Sequence, residues 1–376
     1  MARIVVLGGG FGGLAAAEAL SPAARAGHEV VVVDPRQTFF LGLRKLWVLA
    51  GTADLASGSR SLQGVSRHGA RWLAEEVVAI DPAARRVRTH TTELWYDYLV
   101  VALGAQPRPD FVPGAEAAIN LYDAQEVAQR APEVQGLRGG RVAVGILGVP
   151  YKCPPAPYEA AMLLDDLFRR RGVRDRVELV TFTPQPSSLP AAGPAGCAAV
   201  EGQLAAREIR FEPNRKTVRV EPGRVVFESG DLSWDLLLAV PPHRAPQVVV
   251  ESGLVQGDWI RPDPQTLRTQ HERVFAVGDV VEIPMANGMP LPKAGVFAEA
   301  QARVAASWIL HDLGLGQPVT FDGYGYCFIE VGGQKAAKVV GRFLERPGPQ
   351  VEVSEPTHDA WQEKRAFERQ RLEAWL

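Results

Sequence analysis

The sequence predicts an α/β fold with two dinucleotide-binding, Rossmann-like domains and a small C-terminal α+β cap. A glycine-rich strand–loop–helix unit starts at Arg3, and a second apolar strand of the same kind covers residues 141–148. A strand-like aromatic stretch at 323–330 then comes before a predicted helix over residues 358–376. Strands that alternate with helices in this way form buried parallel sheets covered by the helices.

The composition of the 376 residues is that of an ordinary globular chain, with 46% hydrophobic and 22% charged residues. A formal net charge of −2 gives no field that favours nucleic acid, so no nucleic-acid partner is expected. No metal site is expected either. The N-terminus runs straight into a strand, and no apolar run reaches the ~20 residues of a spanning helix. We therefore expect a cytoplasmic protein, at most peripheral at the membrane surface. Three cysteines are too few for a structural disulfide framework, so a bridged pair would be catalytic.

The first glycine-rich loop predicts a nucleotide site. It matches G-x-G-x-x-G between a buried strand and a helix predicted from Leu14 to Leu20, and the next strand, 29–33, ends in an acid about twenty residues on. Glycines let the backbone approach the phosphates, and the helix N-terminus attracts them. The predicted site residues are Gly8, Gly10, Phe11, Gly12, Gly13 and Asp34.

Two later segments indicate which dinucleotide is bound. Residues 97–104 form a buried strand that ends in glycine, and residues 273–279 end in Gly278-Asp279. Both resemble signature segments of flavoproteins with two dinucleotide-binding domains, in which the last aspartate holds the ribitol of FAD. The resemblance implies that Asp279 binds FAD; the alternative is a turn or N-cap acid. The further contacts that the resemblance implies are from Val78, Ala102, Gly104 and Gly278.

A predicted helix over Val296–Leu310 follows Lys293-Ala294-Gly295. Its start would direct backbone N–H groups at an anion. In the same flavoproteins this helix points at the flavin N1–C2=O edge, so the resemblance implies that Lys293 and Gly295 lie at the flavin and that Lys293 adds a positive charge. The alternative for Lys293 is a solvated first-turn lysine.

The second strand does not continue into a glycine-rich loop, because the run 149–159 places Tyr151, Lys152 and several prolines where a pyrophosphate would approach. We therefore expect the second domain to have lost its nucleotide. Cys153 stands there instead, beside a lysine and a predicted helix start, both of which lower a thiol pKa. Cys327 lies in the aromatic stretch, and Cys197 is expected to be non-catalytic. Buried, inert cysteine is the alternative for the first two.

The segment 152–159 resembles the active-site segment of the flavoprotein subunit of flavocytochrome c sulfide dehydrogenase, a relative of sulfide:quinone oxidoreductase. The resemblance covers nearly the whole chain, and its specific part is the Cys-Pro-Pro segment with a later Tyr-Cys. It implies an FAD-dependent enzyme in which hydrosulfide attacks a Cys153–Cys327 disulfide, leaving a persulfide and a thiolate. Glu159 would shuttle protons; a solvent-facing or N-terminal helix acid is the alternative.

Two departures from that family bear on the cofactor and the acceptor. The flavocytochrome subunit attaches its flavin through a cysteine in the segment after the second strand, but here Gly42 falls near that place, so noncovalent FAD is expected. Many quinone-linked relatives carry a third redox cysteine upstream of the Cys153 position, whereas Cys197 lies downstream. The electron acceptor is therefore left open between a quinone and a cytochrome.

The last predicted helix, residues 358–376, has Trp361, Leu372, Trp375 and Leu376 on one face, with Phe367 off it. Arginine beside tryptophan and leucine suits contact with a membrane surface. The alternative is packing on its own domain or on a second subunit, as in a homo-oligomer.

Proline-rich crossings divide the predicted chain into three parts. Residues 1–110 and 241–312 would form the discontinuous FAD domain, 111–240 the degenerate second domain, and 313–376 the cap. The predicted function is sulfide oxidation through a cysteine pair, with electrons passed through FAD to a quinone or a cytochrome. The rivals are an NAD(P)H-dependent flavin oxidoreductase and an FAD-binding electron-transfer subunit without independent activity.

Overall fold

The computed structural model describes residues 1–376. The α-helices are α1 (Phe11–Ala19), α2 (Ser21–Arg25), α3 (Arg44–Leu49), α4 (Ala124–Gly136), α5 (Ala156–Arg170), α6 (Gly193–Ala205), α7 (Gln247–Glu251), α8 (Gly295–Asp312) and α9 (His358–Trp375). The first strands are β1 (Arg3–Leu7), β2 (Glu29–Val33), β3 (Thr38–Phe39), β4 (Arg60–Ser61), β5 (Ala70–Leu73), β6 (Val77–Asp81), β7 (Arg86–Thr89), β8 (Glu93–Trp95), β9 (Tyr98–Val101), β10 (Gln106–Pro107) and β11 (Ile119–Asn120). The remaining strands are β12 (Gly140–Ile146), β13 (Val177–Phe182), β14 (Arg210–Glu212), β15 (Thr217–Glu221), β16 (Arg224–Phe227), β17 (Asp231–Ser233), β18 (Leu236–Val240), β19 (His243–Arg244), β20 (Val274–Ala276), β21 (Tyr324–Gly332), β22 (Lys335–Arg342) and β23 (Gln350–Val353).

The first large sheet has the strand order β20-β9-β1-β2-β5, and all of its pairings are parallel. Its inner strands β1, β2 and β9 are mostly apolar and buried, because helices and loops cover both faces of a parallel sheet, whereas the edge strand β5 includes the exposed Arg71. Ile4 to Leu7 in β1 and Leu99 to Val101 in β9 are fully buried. This sheet joins strands from the start of the chain to β20, about 170 residues after β9 in the sequence.

The second large sheet has the order β11-β18-β12-β13-β14 and is also parallel throughout. Helix α5 packs against β12 and β13. The core of this sheet also takes in α3, which comes from the first part of the chain, and Trp47 of α3 is completely buried in it. The predicted α/β class with two parallel sheets is therefore confirmed.

The third sheet is antiparallel, in the order β21-β22-β23, and α9 packs against it. Two further three-stranded antiparallel sheets are present. The sheet β6-β7-β8 follows β5 in the chain, and the sheet β15-β16-β17 follows β14. The division of the chain at residues 110, 240 and 312 stays a prediction. No helix combines the length and the apolar character needed to cross a membrane.

Helix α9 packs on its own chain, which is one of the two alternatives for this segment. Trp375 is 1% exposed, and its ring lies 5.3 Å from that of Phe11 between centroids. Phe367 is buried too, stacked on Phe11 and edge-on to Tyr326. The expectation that Phe367 lies off the apolar face is therefore wrong. No large apolar side chain of α9 is exposed, so the stripe that suggested membrane contact is occupied by intramolecular packing.

Candidate active site

The predicted nucleotide residues lie in loops that follow four strands of the first sheet. Gly8 follows β1, Asp34 follows β2, Ala102 follows β9, and Gly278 with Asp279 comes two residues after β20. Because these strands are parallel neighbours, their carboxyl ends meet at one edge of the sheet, where open α/β sheets bind ligands. The fold therefore brings these residues together.

The glycines of the predicted nucleotide site are needed for different physical reasons. A Cβ on Gly13 would lie 1.7 Å from the Gly8 carbonyl oxygen, and a Cβ on Gly8, at φ +100°, would lie 2.4 Å from that of Ala102. A Cβ on Gly10 or Gly104 would meet no protein atom within 4 Å. The first two glycines are thus required by the packing of the protein, whereas the latter two border space that a bound dinucleotide can use.

Asp34 is buried, and its carboxylate already has partners. The Gly9 N–H donates to Asp34 Oδ2 at 2.6 Å, and Arg36 Nη2 donates to the same oxygen at 2.7 Å. Burial by itself would raise the pKa of Asp34, but the Arg36 guanidinium and the Gly9 N–H together lower it below its ordinary value. The carboxylate stays ionised and holds the loop in shape. Of the other predicted contacts, Val78 is half-buried on β6.

Asp279 meets a test of whether the site fits FAD. Its Oδ1 atom is buried and has no hydrogen-bond partner in the protein, an arrangement that is costly unless a ligand supplies a donor. Gly278, at φ +80°, lets the chain turn there, and its N–H donates to Gln301 Oε1 at 2.7 Å. A hydroxyl of the FAD chain is a suitable donor for Asp279. The residues present therefore fit the cofactor.

Lys293 comes two residues before α8, which begins at Gly295. Its ammonium donates to the carbonyl oxygens of Asp279 at 2.8 Å and Val281 at 2.9 Å, and it lies 3.4 Å from the Trp259 ring centroid. Burial lowers the pKa of Lys293 to about 8. The side chain thus fastens the loop that carries Asp279, and the alternative of a solvated lysine is wrong.

Cys153 is attached to this site through its backbone. Its N–H donates to the Lys293 carbonyl oxygen at 2.7 Å, and its own carbonyl accepts from the Tyr122 hydroxyl at 3.2 Å. The residue has a φ of +51°, in the left-handed region that non-glycine residues rarely adopt. Its carbonyl also accepts the Ala156 N–H at 3.0 Å, at the start of α5. The turn at Cys153 therefore brings its backbone next to Lys293, two residues before α8 begins.

The expectation of a lowered thiol pKa at Cys153 is wrong. Cys153 and Cys327 are both free thiols; Cys153 is exposed and Cys327 is half-buried. Cys153 has some accessible surface, but the surrounding protein still desolvates its thiol. This desolvation, together with the nearby Glu159 carboxylate, raises the pKa of Cys153 to about 11. Desolvation raises the pKa of Cys327 to about 12, and the charge of an ionised Cys153 adds to that rise.

Glu159 is neither solvent-facing nor free. It is 4% exposed and forms an ion pair with Lys364 of α9, whose Nζ also lies 3.2 Å from Glu330 Oε2 on β21. The indole N–H groups of Trp47 and Trp361 donate to Glu330 at 2.7 and 2.9 Å. Burial raises the pKa of Glu159 more than Lys364 lowers it. Charges on both Glu159 and Lys364 act on the two cysteines.

Sequence reasoning missed several residues around the cysteines. Their partners are far away in the chain, so no local pattern marks them. Only the presence of charged residues in otherwise apolar segments gave a signal, as at Lys45 within α3. The residues missed there are Lys45, Tyr122, His243, Glu330 and Lys364, and Arg36 was missed beside Asp34.

The segment that replaces the second glycine-rich loop turns inward. Tyr151 is buried in the core of the second sheet, and its hydroxyl donates to the Pro154 carbonyl at 3.2 Å. Cys197 lies on α6, buried, with its thiol 3.3 Å from the Ser187 hydroxyl. The inward turn at Tyr151 leaves no glycine turn there for a second pyrophosphate.

The two parallel sheets and the Asp279 site define an FAD-dependent oxidoreductase. The chain belongs to the pyridine nucleotide-disulphide oxidoreductase family, whose model matches residues 2–302. It is similar to the mitochondrial sulfide:quinone oxidoreductase of Mus musculus (25% identity, covering 88% of this chain and 76% of the relative). It is also similar to the sulfide-quinone reductase of Aquifex aeolicus (26%, covering 83% and 76%). The X-ray structure of the sulfide:quinone oxidoreductase from Aquifex aeolicus superposes with a TM-score of 0.89 at 23% identity, covering all of this chain and 92% of the other.

Proposed function

We propose that this chain oxidises sulfide through Cys153 and Cys327 and passes the electrons to a quinone. The observation that carries the proposal is the hydrogen bond from the Cys153 N–H to the carbonyl of Lys293, the residue whose ammonium contacts the Asp279 carbonyl. The relatives named for sulfide and quinone support the substrate and the acceptor. A cytochrome acceptor is the less supported choice.

The chemistry starts from a disulfide between the two cysteines. Hydrosulfide attacks one sulfur; the bond between the cysteines breaks, a persulfide forms on one cysteine, and the other leaves as a thiolate. A second hydrosulfide attacks the outer sulfur of the persulfide and releases hydrodisulfide, so that both cysteines end reduced. Two hydrosulfides thus become one hydrodisulfide, one proton and two electrons. FAD supplies the two-electron sink when the pair closes again.

The protein groups around the pair suit this sequence. The thiol pKa values of about 11 and 12 would be higher still, and each thiolate a poorer leaving group, without the nearby cations. Lys364 and Lys45 are such cations, because both lower the pKa of Cys153. Glu159, whose pKa is raised, can take up the proton that the reaction releases. Lys293 holds the Asp279 loop against the cofactor.

Anaerobic stopped-flow mixing tests the proposal. We expect sulfide to bleach the flavin absorbance, with a transient charge-transfer band, and NADH to leave it nearly unchanged. Cys153→Ser and Cys327→Ser should each abolish the sulfide response while FAD stays bound. Cys197→Ser, the matched control on α6, should react like the wild type. Wild-type reactivity of either of the first two variants would overturn the paired-cysteine mechanism.

The same experiment separates the alternatives. Rapid bleaching by NADH would favour a nicotinamide-linked flavin oxidoreductase. Slow reduction by every small donor, with activity only in a larger complex, would favour an electron-transfer subunit. Steady-state turnover with a short-chain quinone and, separately, with a cytochrome tests the acceptor. FAD should be released by acid precipitation, because Gly42 offers no thiol for a covalent bond.

A further inference from the structure

A buried lysine without a carboxylate partner lies next to the Cys153 centre. Lys45, in α3, is 9% exposed and forms no ion pair within the chain. Its single hydrogen bond is to the carbonyl oxygen of Tyr122, 3.1 Å from Nζ. A buried ammonium that lacks a counter-ion is expensive to maintain, so its surroundings should hold something that compensates for it.

Tyr122 connects this lysine to Cys153. The Lys45 ammonium lies 5.0 Å from the centroid of the Tyr122 ring. The hydroxyl of the same ring donates to the carbonyl oxygens of Lys152 at 2.5 Å and Cys153 at 3.2 Å. His243, buried and neutral, packs edge-on to the ring at 5.0 Å. Lys45 and Cys153 therefore both contact Tyr122: Lys45 through the ring and the backbone carbonyl, and the Cys153 carbonyl through the hydroxyl.

The other cations near Cys153 are already engaged. Lys364 is shared by two glutamates, Lys293 by two backbone carbonyls, and Lys152 donates to the Ala105 carbonyl at 3.3 Å. The charged and titratable groups that act on Cys153 or on Lys45 are Glu159, Lys364, Asp279, Lys152, Asp123, Cys327, Tyr122 and Tyr151. Lys45 and Lys152 each have a single backbone carbonyl as a partner, so neither charge is neutralised by a carboxylate.

We propose that Lys45 is a positioning residue that electrostatically stabilises anionic sulfur at Cys153, either the thiolate itself or a sulfur anion bound to it. The second half of this statement rests on the proposed function; the first half does not. The influence runs both ways. Burial and the nearby Lys152 lower the pKa of Lys45 to about 7 even though an ionised Cys153 acts to raise it, and Lys45 in turn lowers the pKa of Cys153.

The test uses the FAD-loaded protein with Cys197 and Cys327 replaced by serine, so that Cys153 is the single thiol. Alkylation by iodoacetamide, followed against pH, reports the thiolate fraction. In this background Lys45→Met should slow alkylation about tenfold below about pH 7, where Lys45 carries its charge, because a nearby opposite charge shifts a pKa by about one unit or more; the difference should shrink at higher pH. Lys45→Arg should restore most of the rate. Lys335→Met, which removes an exposed lysine, should have no effect.

A structural defect would look different. Replacing a buried, unpaired ammonium by an apolar side chain should leave thermal stability unchanged or raise it. Equal alkylation of Lys45→Met and Lys335→Met at every pH would overturn the proposal. If Cys153 resists iodoacetamide, the titration of its ¹³Cβ signal by NMR gives the same comparison, and equal titrations would again overturn it. Failure of sulfide to bleach the wild-type flavin would reject the proposed function and leave this comparison intact.

Discussion

Several charged side chains of this protein are buried in its interior. The Lys364 ammonium is 3% exposed and forms ion pairs with both Glu159 and Glu330. One ammonium and two carboxylates therefore form a buried cluster. Burial would lower the pKa of Lys364, but the two carboxylates keep it above its ordinary value. A cluster of this kind is costly to break, because each member left behind is an uncompensated charge.

Replacing Lys364 by methionine should therefore reduce the free energy of unfolding by about 3–5 kcal/mol, as measured by chemical denaturation. Lys216→Met is the matched control, since the Lys216–Glu228 pair is exposed and should cost at most about 1 kcal/mol. Equal losses in the two variants would contradict a structural role for the buried cluster.

The same substitution should change how stability depends on pH. The pKa of Glu159 is raised above its ordinary 4.5, so the folded state binds this proton more tightly and stability falls as pH rises above that value. Removing Lys364, which lowers this pKa, should extend the fall to higher pH. Adding Glu159→Gln to the variant should remove most of the extra slope. An unchanged slope in unfolding curves measured across pH would show that Glu159 does not titrate there.

At the scale of elements, the nucleotide loop could be predicted from the sequence and the last helix only in part. The order strand, glycine loop, helix, strand and acid is local, so β1, β2 and Asp34 were found where they occur; the helix predicted over Leu14–Leu20 begins earlier, at Phe11, and ends at Ala19. The existence of α9 was also predictable. Its inward face was not, because that face includes the charged Lys364 and Glu368, whose partners lie in distant parts of the chain.

Two glycines of the first loop should behave differently when changed to alanine. Gly13→Ala meets the Gly8 carbonyl at 1.7 Å, so it should destabilise the chain whether or not FAD is present. Gly10→Ala meets no protein atom, and the φ of −93° at this residue suits alanine. It should leave the stability of FAD-free protein unchanged and weaken FAD binding. Thermal unfolding with and without FAD checks both, and normal FAD affinity in Gly10→Ala would contradict the predicted phosphate position.

The inward packing of α9 gives a second prediction at this scale. Trp375→Ala removes a fully buried ring that contacts Phe11 in the nucleotide loop, and it should cost about 3–5 kcal/mol of unfolding free energy. Glu373→Ala, on the exposed face of the same helix, should change it by less than about 0.5 kcal/mol. A loss below about 1 kcal/mol for Trp375→Ala, in urea unfolding, would contradict this packing.

At the scale of the whole molecule, the cap and the two large sheets are joined by buried polar contacts. Trp47 of α3 donates to Glu330 of β21, Lys364 of α9 pairs with Glu159 of α5, and the Arg44 guanidinium donates to both oxygens of Glu368 at 2.7 Å. The parallel sheets could be predicted from the apolar patterns of their strands. The buried polar contacts could not, because they join residues up to 324 positions apart and follow no periodic pattern.

The buried ion pair between Arg44 and Glu368 should make the molecule unfold as one unit. A Cβ on Gly58 would lie 1.7 Å from Arg44 Nε, so the chain leaves room for this guanidinium, and both side chains are at most 10% exposed. Glu368→Gln strands the Arg44 charge in the interior and should cost about 3–5 kcal/mol. Flavin release, followed by fluorescence, and loss of secondary structure, followed by circular dichroism, should shift together to lower denaturant. Flavin release well before the loss of secondary structure would mean that the cap separates from the nucleotide domain first, which the shared cores around α3 and α9 argue against.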